Sequence, residues 1–323
     1  MIKVEELYKK FPGQKIPAVN GINLDIKEGE ICVFVGPSGC GKSTTLRLIN
    51  RLIEPTSGKI FIDGQDVMQK DPDLLRQNIG YVIQQIGLLP HKTIGENISI
   101  VPRLLKWPKD KTKKRVDELL ELVGLDVEEV RDRYPYQLSG GMMQRVGVAR
   151  AMAVNPPIML MDEPFGAVDP LVRSYLQDEF LKIQLDIKKT ICFVTHSINE
   201  AIKMGDKIAI MNEGQIVQFG TPEEILSNPA SSFVAEFVGE DRGVKMLYMG
   251  KCEGLMGECS AAFREDYEKK NLPSIQAHEP LNNALAAMLE KDSDAVAILH
   301  KENLVGVITW EELKQHVSKM GGV

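Results

Sequence analysis

One segment constrains the fold of this chain more than any other. The apolar run Ile31–Val35 is followed at once by Gly36-Pro-Ser-Gly-Cys-Gly-Lys-Ser43, and a helix-period stretch begins at Lys42 and extends to about Leu52. The loop residues match the pattern G-x-x-x-x-G-K-[ST] in full. A buried strand, a glycine-rich turn and a helix in this order indicate an α/β domain with an anion-binding turn at one edge of its sheet.

The chemistry of this turn favours a bound nucleotide phosphate. Glycines let backbone N–H groups turn inward around anionic oxygens, and the N-terminus of the following helix attracts negative charge. Lys42 is placed to reach the β- and γ-phosphates and to take part in catalysis, while the Ser43 hydroxyl can ligate Mg²⁺. We predict nucleotide contacts along the whole segment, from Gly36, Pro37, Ser38, Gly39, Cys40, Gly41, Lys42, Ser43 and Thr44.

Strand and helix patterns alternate along most of the chain. Short apolar runs suited to buried strands occur at 81–83, 157–161, 191–195 and 207–211. Helix-period stretches lie between them, which predicts a mainly parallel sheet covered by helices. The segment from about 91 to 153 contains helical patterns and no convincing strand, and is predicted to be a helical insertion.

An acidic pair ends one of these strands. Asp162 closes the apolar run 157–161, and Glu163 follows it. A carboxylate at the carboxyl end of a strand beside a phosphate loop can hold Mg²⁺, and its neighbour can serve as the general base for an attacking water. The alternative is an acidic surface turn before Pro164, which becomes less attractive once the phosphate loop is considered.

Composition and charge exclude several classes of protein. The chain has 43% hydrophobic and 26% charged residues, which is typical of a soluble globular protein, and its net charge of −6 argues against binding to nucleic acid. It has no apolar run of about 18 residues, and its first residues, MIKVEELYKKF, lack the apolar segment of a signal peptide. Its cysteines are odd in number and lack zinc-site spacing, which favours a reducing, cytosolic environment; they are Cys32, Cys40, Cys192, Cys252 and Cys259.

Further motifs resemble the ATPase subunits of ABC transporters. Leu138-Ser-Gly-Gly141, YVIQQ with Gln84, DEPFGAVD (162–169) and FVTHS with His196 follow the phosphate loop in the pattern of that family. The resemblance implies an α/β, P-loop ABC-type ATPase domain with a helical subdomain at about 91–153. It also implies a homodimer in which two subunits enclose two ATP molecules with Mg²⁺.

The resemblance assigns roles within one subunit. Glu163 is the catalytic base, and His196 contacts the γ-phosphate and orients Glu163. Gln84 contacts Mg²⁺ and the attacking water and links the site to the membrane subunit. Phe11 occupies the place of the aromatic residue that stacks on adenine, with Tyr8 as the less favoured candidate.

Other residues are expected to act on the opposite subunit. The resemblance places Ser139, Gly140 and Gly141 on the γ-phosphate bound to the partner, and Asp169 at the dimer interface. Serine is a favourable N-cap, so this segment also fits the start of a helix directed at an anion. Met142 replaces the usual glutamine of the family and removes one hydrogen bond, which predicts weaker coupling rather than inactivity.

The cargo is suggested by resemblance alone. Residues 46–64, 81–107 and 228–242 are similar to ATPase subunits of importers for glycine betaine, choline and carnitine. This implies a transmembrane permease, a solute-binding protein, and a peripheral position on the cytoplasmic face of the inner membrane. An importer of another small solute, such as an amino acid or a polyamine, is the alternative within this class.

The pattern changes near Gly239. FVGEDRG (237–243) is predicted to be a linker that divides an ATPase domain, 1–240, from a smaller domain, 241–323. The smaller domain contains one α-β-β-α pattern, from 281 to 318. Residues 243–323 contain nine Lys and Arg against twelve Asp and Glu, which argues against a basic membrane-binding tail.

The α-β-β-α pattern resembles one CBS motif, from about Ser274 to Val317. Gly306-Val-Ile-Thr309 is followed by Glu312 where that family often has aspartate. The resemblance implies an α+β regulatory domain that binds an adenine nucleotide or senses ionic conditions. A packing domain that holds the dimer together is the alternative.

One hypothesis from another class remains. A soluble regulator could use ATP to drive dimerisation and its C-terminal domain to bind a partner. Intact Gln84, Glu163 and His196 argue against this reading, because a pure sensor needs no general base.

Overall fold

The computed structural model describes residues 1–83, 87–166, 169–257, 259, 267 and 272–321. The chain divides into two compact units, Met1–Phe219 and Gly220–Val323. Within these described ranges, no helix is long and apolar enough to cross a membrane. The boundary between domains at residue 240 stays a prediction.

The first unit is built from two sheets with helices around them. Its strands are β1 Ile2–Lys9, β2 Val19–Ile26, β3 Ile31–Val35, β4 Ser57–Ile62, β5 Gln65–Asp66, β6 Ile79–Val82, β7 Ile158–Asp162, β8 Thr190–Thr195, β9 Lys207–Asn212 and β10 Gln215–Gly220. Its helices are α1 Lys42–Ile49, α2 Pro72–Gln77, α3 Ile94–Ile98, α4 Ile100–Leu104, α5 Lys109–Leu122, α6 Val127–Val130, α7 Gly140–Ala151, α8 Pro170–Ile187 and α9 Ile198–Met204.

The larger sheet determines where the site lies. Its strand order is β10-β9-β3-β8-β7-β6, and the pairings of β3 with β8 and β9, of β7 with β8, and of β6 with β7 are parallel. Every residue of β3, β7 and β8 is buried, as expected for strands covered on both faces. Parallel strands end at the same edge of a sheet, so the segments that follow β3, β7 and β8 lie side by side. The predicted mainly parallel α/β domain is confirmed.

The smaller sheet was not predicted. Strands β1, β2, β4 and β5 form an antiparallel sheet in the order β2-β1-β4-β5. The buried residues of β2 alternate with more exposed ones, which is typical of a sheet with one face on the core. Ile2, Ile22 and Ile60 of this sheet share a hydrophobic cluster with Leu46 of α1 and Phe34 of β3. The two sheets therefore pack through one core.

The predicted helical insertion is present in a segment that the structure describes without gaps. Helices α3 to α7 occupy most of residues 94–151, and no strand interrupts them there. A capping box between Thr93 and Glu96 begins α3. On α5, Val116, Leu119 and Leu120 are buried, and their spacing gives the helix one apolar face.

The C-terminal unit contains a three-stranded sheet. Its elements are α10 Pro222–Ser227, α11 Ser232–Val238, α12 Arg242–Met249, α13 Cys252–Leu255, β11 Ser274–Gln276, α14 Leu281–Lys291, β12 Ala295–His300, β13 Asn303–Thr309 and α15 Trp310–Gly321. β11 is parallel and β13 antiparallel to β12. The α-β-β-α pattern is confirmed, with β11 as an added strand that was too short to predict.

The predicted linker is shorter than 237–243. Helix α11 continues to Val238 and α12 begins at Arg242, so only three residues separate them. The buried ammonium of Lys245 donates hydrogen bonds to the carbonyl oxygen of Val238, at 2.5 Å, and to Asp241 Oδ1, at 2.6 Å. Lys245 thus satisfies the last carbonyl oxygen of α11 and stabilises the turn between α11 and α12. The composition of the segment does not reveal these contacts.

The buried parallel sheet should dominate the stability of the first unit. Phe193 on β8 is fully buried, and Phe193→Ala should lower the free energy of unfolding by about 3–5 kcal/mol because it leaves a cavity. Leu185→Ala is the control: its side chain is 74% exposed, and it should cost less than about 0.5 kcal/mol. Urea unfolding in a Trp310→Phe background, followed by Trp107 fluorescence, reports on the first unit. If both substitutions lowered the free energy of unfolding equally, the buried parallel sheet would not dominate the stability of the first unit.

Candidate active site

The phosphate loop is held between two backbone carbonyl groups. Gly36 and Gly41 have φ of +153° and +106°, and Gly41 is the N-cap of α1. A Cβ atom at Gly36 would lie 2.1 Å from the carbonyl oxygen of Met211, and one at Gly41 would lie 2.2 Å from that of Ala18. Only glycine fits at either position without movement of the neighbouring backbone.

Lys42 lies inside the curve of this loop. Its side chain is buried, and Nζ donates hydrogen bonds to the carbonyl oxygens of Gly36, at 2.7 Å, and Pro37, at 2.8 Å. Pro37, Ser38 and Gly39 are exposed. The ammonium is therefore positioned by the carbonyl oxygens of the loop itself.

Cys40 and Thr44 complete the predicted loop. Cys40 is buried, with its Sγ 3.7 Å from Lys42 Nζ, and burial raises the pKa of its thiol despite the nearby ammonium. Thr44 is half-buried on α1. Cys40 therefore acts as a small packing residue and is not a reactive thiolate.

The next group joins α1 to β7. Ser43 Oγ donates a 2.7 Å hydrogen bond to Asp162 Oδ1, and Asp162 is 2% exposed. Burial raises the pKa of Asp162, and the hydrogen bond from Ser43 and the nearby Arg47 oppose that rise. One hydroxyl and one carboxylate suit Mg²⁺, which takes few protein ligands and completes its shell with phosphate and water. The described residues contain no cluster of three or more His, Cys, Asp or Glu side chains that could hold a metal without a nucleotide.

Glu163 leaves the strand in an unusual backbone conformation. Its φ is +49°, in the left-handed region that residues other than glycine rarely adopt. Its N–H donates to the carbonyl oxygen of Val194 on β8, at 3.1 Å. His196 follows β8, and its Nδ1 lies 3.9 Å from Glu163 Oε1. The sheet pairing thus brings together two side chains that are far apart in sequence.

A small pocket surrounds this pair, and it includes residues that the sequence analysis missed. Arg173 of α8 and Glu200 of α9 line it with Glu163 and His196. Glu200 is buried and accepts a 2.7 Å hydrogen bond from the Nε2 of buried Gln177. Local pattern gave no signal for Glu200, because His196 precedes the N-cap of α9 and the two residues do not share a helix face.

The remaining candidates lie outside this cluster. Ser139 caps α7 by accepting a 3.3 Å hydrogen bond from the Met142 N–H, and Gly140 and Gly141 begin that helix. Within the described parts of the chain, no hydrogen bond or ion pair joins these residues to the phosphate loop. Asp169 is exposed before α8, and Phe11 lies after β1 with Lys9 Nζ 5.1 Å from its ring centre. Gln84 lies outside the described residues.

Together, the strand–loop–helix, the buried Ser43–Asp162 pair and the adjoining glutamate define a P-loop nucleotide hydrolase site. The ABC transporter family model matches residues 19–166. The chain is 49% identical over 321 residues to the glycine betaine/carnitine/choline transport ATP-binding protein OpuCA of Bacillus subtilis, covering 99% of this chain and 81% of that protein. It is 48% identical over 307 residues to the osmoprotectant import ATP-binding protein OsmV of Salmonella typhimurium, covering 94% and 77%. The chain belongs to the family of ABC transporter ATP-binding subunits.

Solved structures agree with this assignment. A dimeric post-hydrolysis state of the ATP-binding cassette MJ0796 with ADP and Pi matches with a TM-score of 0.62 at 36% identity, covering 69% of this chain and 99% of that one. CbiO1 of Clostridium perfringens matches with a TM-score of 0.65 at 30% identity, covering 71% and 91%. The predicted ABC-type ATPase fold is confirmed, and the chain is an ATP-binding ATPase that works with membrane components of a transporter.

The close approach at Gly41 generates a matched test. Gly41→Ala should weaken ATP binding by at least about tenfold, because the loop must move away from Ala18 and loses hydrogen bonds to phosphate. Gly39→Ala is the control: φ is also positive, at +81°, but among the described residues no atom beyond its two chain neighbours lies within 4 Å of the added Cβ. Titration with a fluorescent ATP analogue measures both affinities. Equal losses of ATP affinity in the two variants would show that the positive φ, and not the contact with Ala18, determines the requirement for glycine at Gly41.

The raised pKa of Asp162 predicts a conflict between stability and function. Because the folded state disfavours the ionised carboxylate, the charge of Asp162 lowers the free energy of unfolding at neutral pH. This destabilisation shrinks as pH falls through the raised pKa of the folded state. It is absent below the pKa of the unfolded state, about 3.9. Asp162→Asn should therefore raise the melting temperature of the ligand-free protein at pH 7, by an amount that decreases toward pH 5, while it weakens Mg²⁺-dependent ATP binding. Asp25→Asn, at an exposed position, is the control. A lower melting temperature for Asp162→Asn at pH 7 would contradict this account.

Proposed function

We propose that this chain is the ATP-hydrolysing subunit that powers import of quaternary ammonium osmoprotectants through a partner permease. The observation that carries the catalytic part is the convergence of Ser43, Asp162, Glu163 and His196 at the carboxyl ends of neighbouring parallel strands. The named cargoes of the relatives support the transport part.

The phosphate loop binds ATP through its inward-facing backbone N–H groups and Lys42. Ser43 and Asp162 would hold Mg²⁺, with Gln84 as a further ligand, and the ion would supply positive charge to neutralise the phosphates. Phe11 stacks on adenine. The 2.7 Å contact between Ser43 and Asp162 supports the metal assignment, since it brings a hydroxyl and a carboxylate to one point.

Glu163 acts as the general base. It accepts a proton from the water that attacks the γ-phosphate, and His196 orients it and contacts the same phosphate. Gln84 positions that water. The left-handed backbone of Glu163 supports the assignment, because strained conformations of this kind occur preferentially at functional sites.

Two copies of the chain complete each site. Ser139, Gly140 and Gly141 direct the N-terminus of α7 at the γ-phosphate bound by the other copy, and Asp169 lies across the interface. A capped helix of 12 residues supports the role of α7 as an anion-binding helix. The dimeric state of MJ0796 supports the homodimer.

The membrane partners determine the cargo. A permease and a solute-binding protein select glycine betaine, choline or carnitine, and this subunit lies on the cytoplasmic face of the inner membrane as a peripheral component. The names of OpuCA and OsmV support this cargo class. An aromatic cage for the quaternary ammonium group belongs to the solute-binding partner.

The C-terminal unit regulates the ATPase by binding an adenine nucleotide at its CBS-like motif. Thr309 and Glu312 are joined by a 2.8 Å hydrogen bond from Thr309 Oγ1 to Glu312 Oε2, at the start of α15. The same two residues form a capping box: the Thr309 N–H donates to Glu312 Oε2, at 2.7 Å, and the Glu312 N–H donates to Thr309 Oγ1, at 3.3 Å. The support for nucleotide binding is therefore the resemblance of this segment to a CBS motif.

Glu163→Gln separates the chemistry from binding. The amide cannot accept the proton, so Mg²⁺-dependent ATP hydrolysis should fall at least about 100-fold, while an ATP-bound dimer accumulates. Glu28→Gln, at an exposed glutamate, should leave both properties unchanged. Phosphate release and size-exclusion chromatography measure the two outcomes. Full turnover by Glu163→Gln, or no dimer with ATP, would exclude the proposed mechanism.

The cargo is tested in vesicles that contain the reconstituted importer and internal ATP. Unlabelled glycine betaine, choline or carnitine should compete with labelled glycine betaine for uptake. Amino acids and polyamines should not compete. Competition by an amino acid or a polyamine alone would replace the proposed cargo and leave the ATPase assignment intact.

A further inference from the structure

Two stacked tyrosine rings lie just before the helix that carries Ser139. The ring centres of Tyr134 and Tyr136 are 5.8 Å apart, and their planes differ by 11°. Tyr136 is 76% exposed. A large aromatic side chain held this far into solvent is a common feature of binding surfaces, because its apolar ring gains free energy when a partner covers it.

The pair is held in place by the backbone around it. Pro135 and Leu138 are buried, and residues Pro135–Gln137 form a 3₁₀ turn. The side chain of Gln137 closes this turn: its Oε1 accepts a 2.8 Å hydrogen bond from the Tyr134 N–H. A second hydrogen bond, 3.1 Å long, runs from the Leu138 N–H to the Pro135 carbonyl oxygen. Tyr136 is therefore presented on a fixed turn, so little conformational entropy is lost when its ring is covered.

The surface continues directly into the residues assigned to the dimer interface. Gln137, Ser139 and Gly140 are exposed on the same short segment as Tyr136. Three residues span at most about 10 Å, so Tyr136 lies within one nucleotide's length of the γ-phosphate contact of Ser139. The nearest charge in sequence, Arg133, is paired with Glu129 at 2.7 Å. An uncharged ring face suits a base or a ribose better than a phosphate.

We propose that Tyr136, supported by Tyr134, packs against the nucleoside of the ATP held by the phosphate loop of a second copy of this chain. The proposal rests on the ATP-bound homodimer of the proposed function and adds a contact to it. Phe11 covers the nucleoside from the subunit that binds the phosphates, and Tyr136 covers it from the other. Tyr136 thereby makes dimer formation depend on the nucleoside as well as on the γ-phosphate.

The test uses the Glu163→Gln chain and measures the ATP concentration at which half of it is dimeric. Base stacking on an aromatic ring contributes enough affinity that Tyr136→Ala should raise this concentration at least about fivefold. Tyr136→Phe keeps the ring and should stay near the parent value. Tyr175→Ala, at another exposed tyrosine on α8, is the control and should have no effect.

A second readout separates this contact from a folding defect. The monomer at high dilution should bind fluorescent ATP equally well with Tyr136 and with Tyr136→Ala, because the contact comes from the other copy. Phe11→Ala should weaken binding in both monomer and dimer. Weaker monomer binding by Tyr136→Ala would therefore overturn the proposal.

The outcomes distinguish the inference from the proposed function. If the Glu163→Gln chain forms no dimer with ATP, both are overturned. If it does, and Tyr136→Ala dimerises at the parent ATP concentration, the tyrosine contact is overturned and the ATPase dimer stands. If Tyr136→Phe raises the ATP concentration needed for half-dimerisation as much as Tyr136→Ala does, the hydroxyl is responsible for the effect, and the stacking proposal is wrong.

Discussion

The close contact of the phosphate loop with two backbone carbonyl groups is the constraint on which the rest of the site depends. Gly36 lies against Met211 at the end of β9, and Gly41 lies against Ala18 just before β2. The parallel sheet and the antiparallel sheet therefore both position the loop. Because any side chain at these glycines would displace a strand, the loop's shape is set by the packing of the whole first unit.

The same sheet supplies the chemistry. Pairing of Asp162 with Val194, and the hydrogen bond from the Glu163 N–H to Val194, place the acidic pair beside His196. Burial that disfavours the charge of Asp162 prepares it for a cation, while Glu163 remains partly accessible to water. Asp162 ends β7 and is buried, whereas Glu163 follows the strand and is more exposed, so two adjacent residues have different surroundings. Ser139, Gly140 and Gly141, the residues proposed to contact the nucleotide of a second copy, lie at the start of α7 in the helical segment and not on this sheet.

Sequence reasoning succeeded where local pattern determines structure. The loop, the buried strands and the order of helices follow from residue type and spacing. The antiparallel sheet was missed because β4 pairs with β1, which is distant in sequence, and because β5 has only two residues. The hydrogen bond of Gln177 with Glu200, the left-handed Glu163 and the buried Lys245 depend on three-dimensional contacts that no local pattern encodes.

The central claim is that ATP binding by this chain drives a membrane importer. It is tested most directly by recovering the tagged Glu163→Gln chain from gently solubilised native membranes, with and without ATP, and identifying its partners by mass. The account predicts a polytopic membrane protein that is fused to, or accompanied by, a solute-binding domain. Recovery of soluble partners alone, or of no partner under either condition, would contradict it.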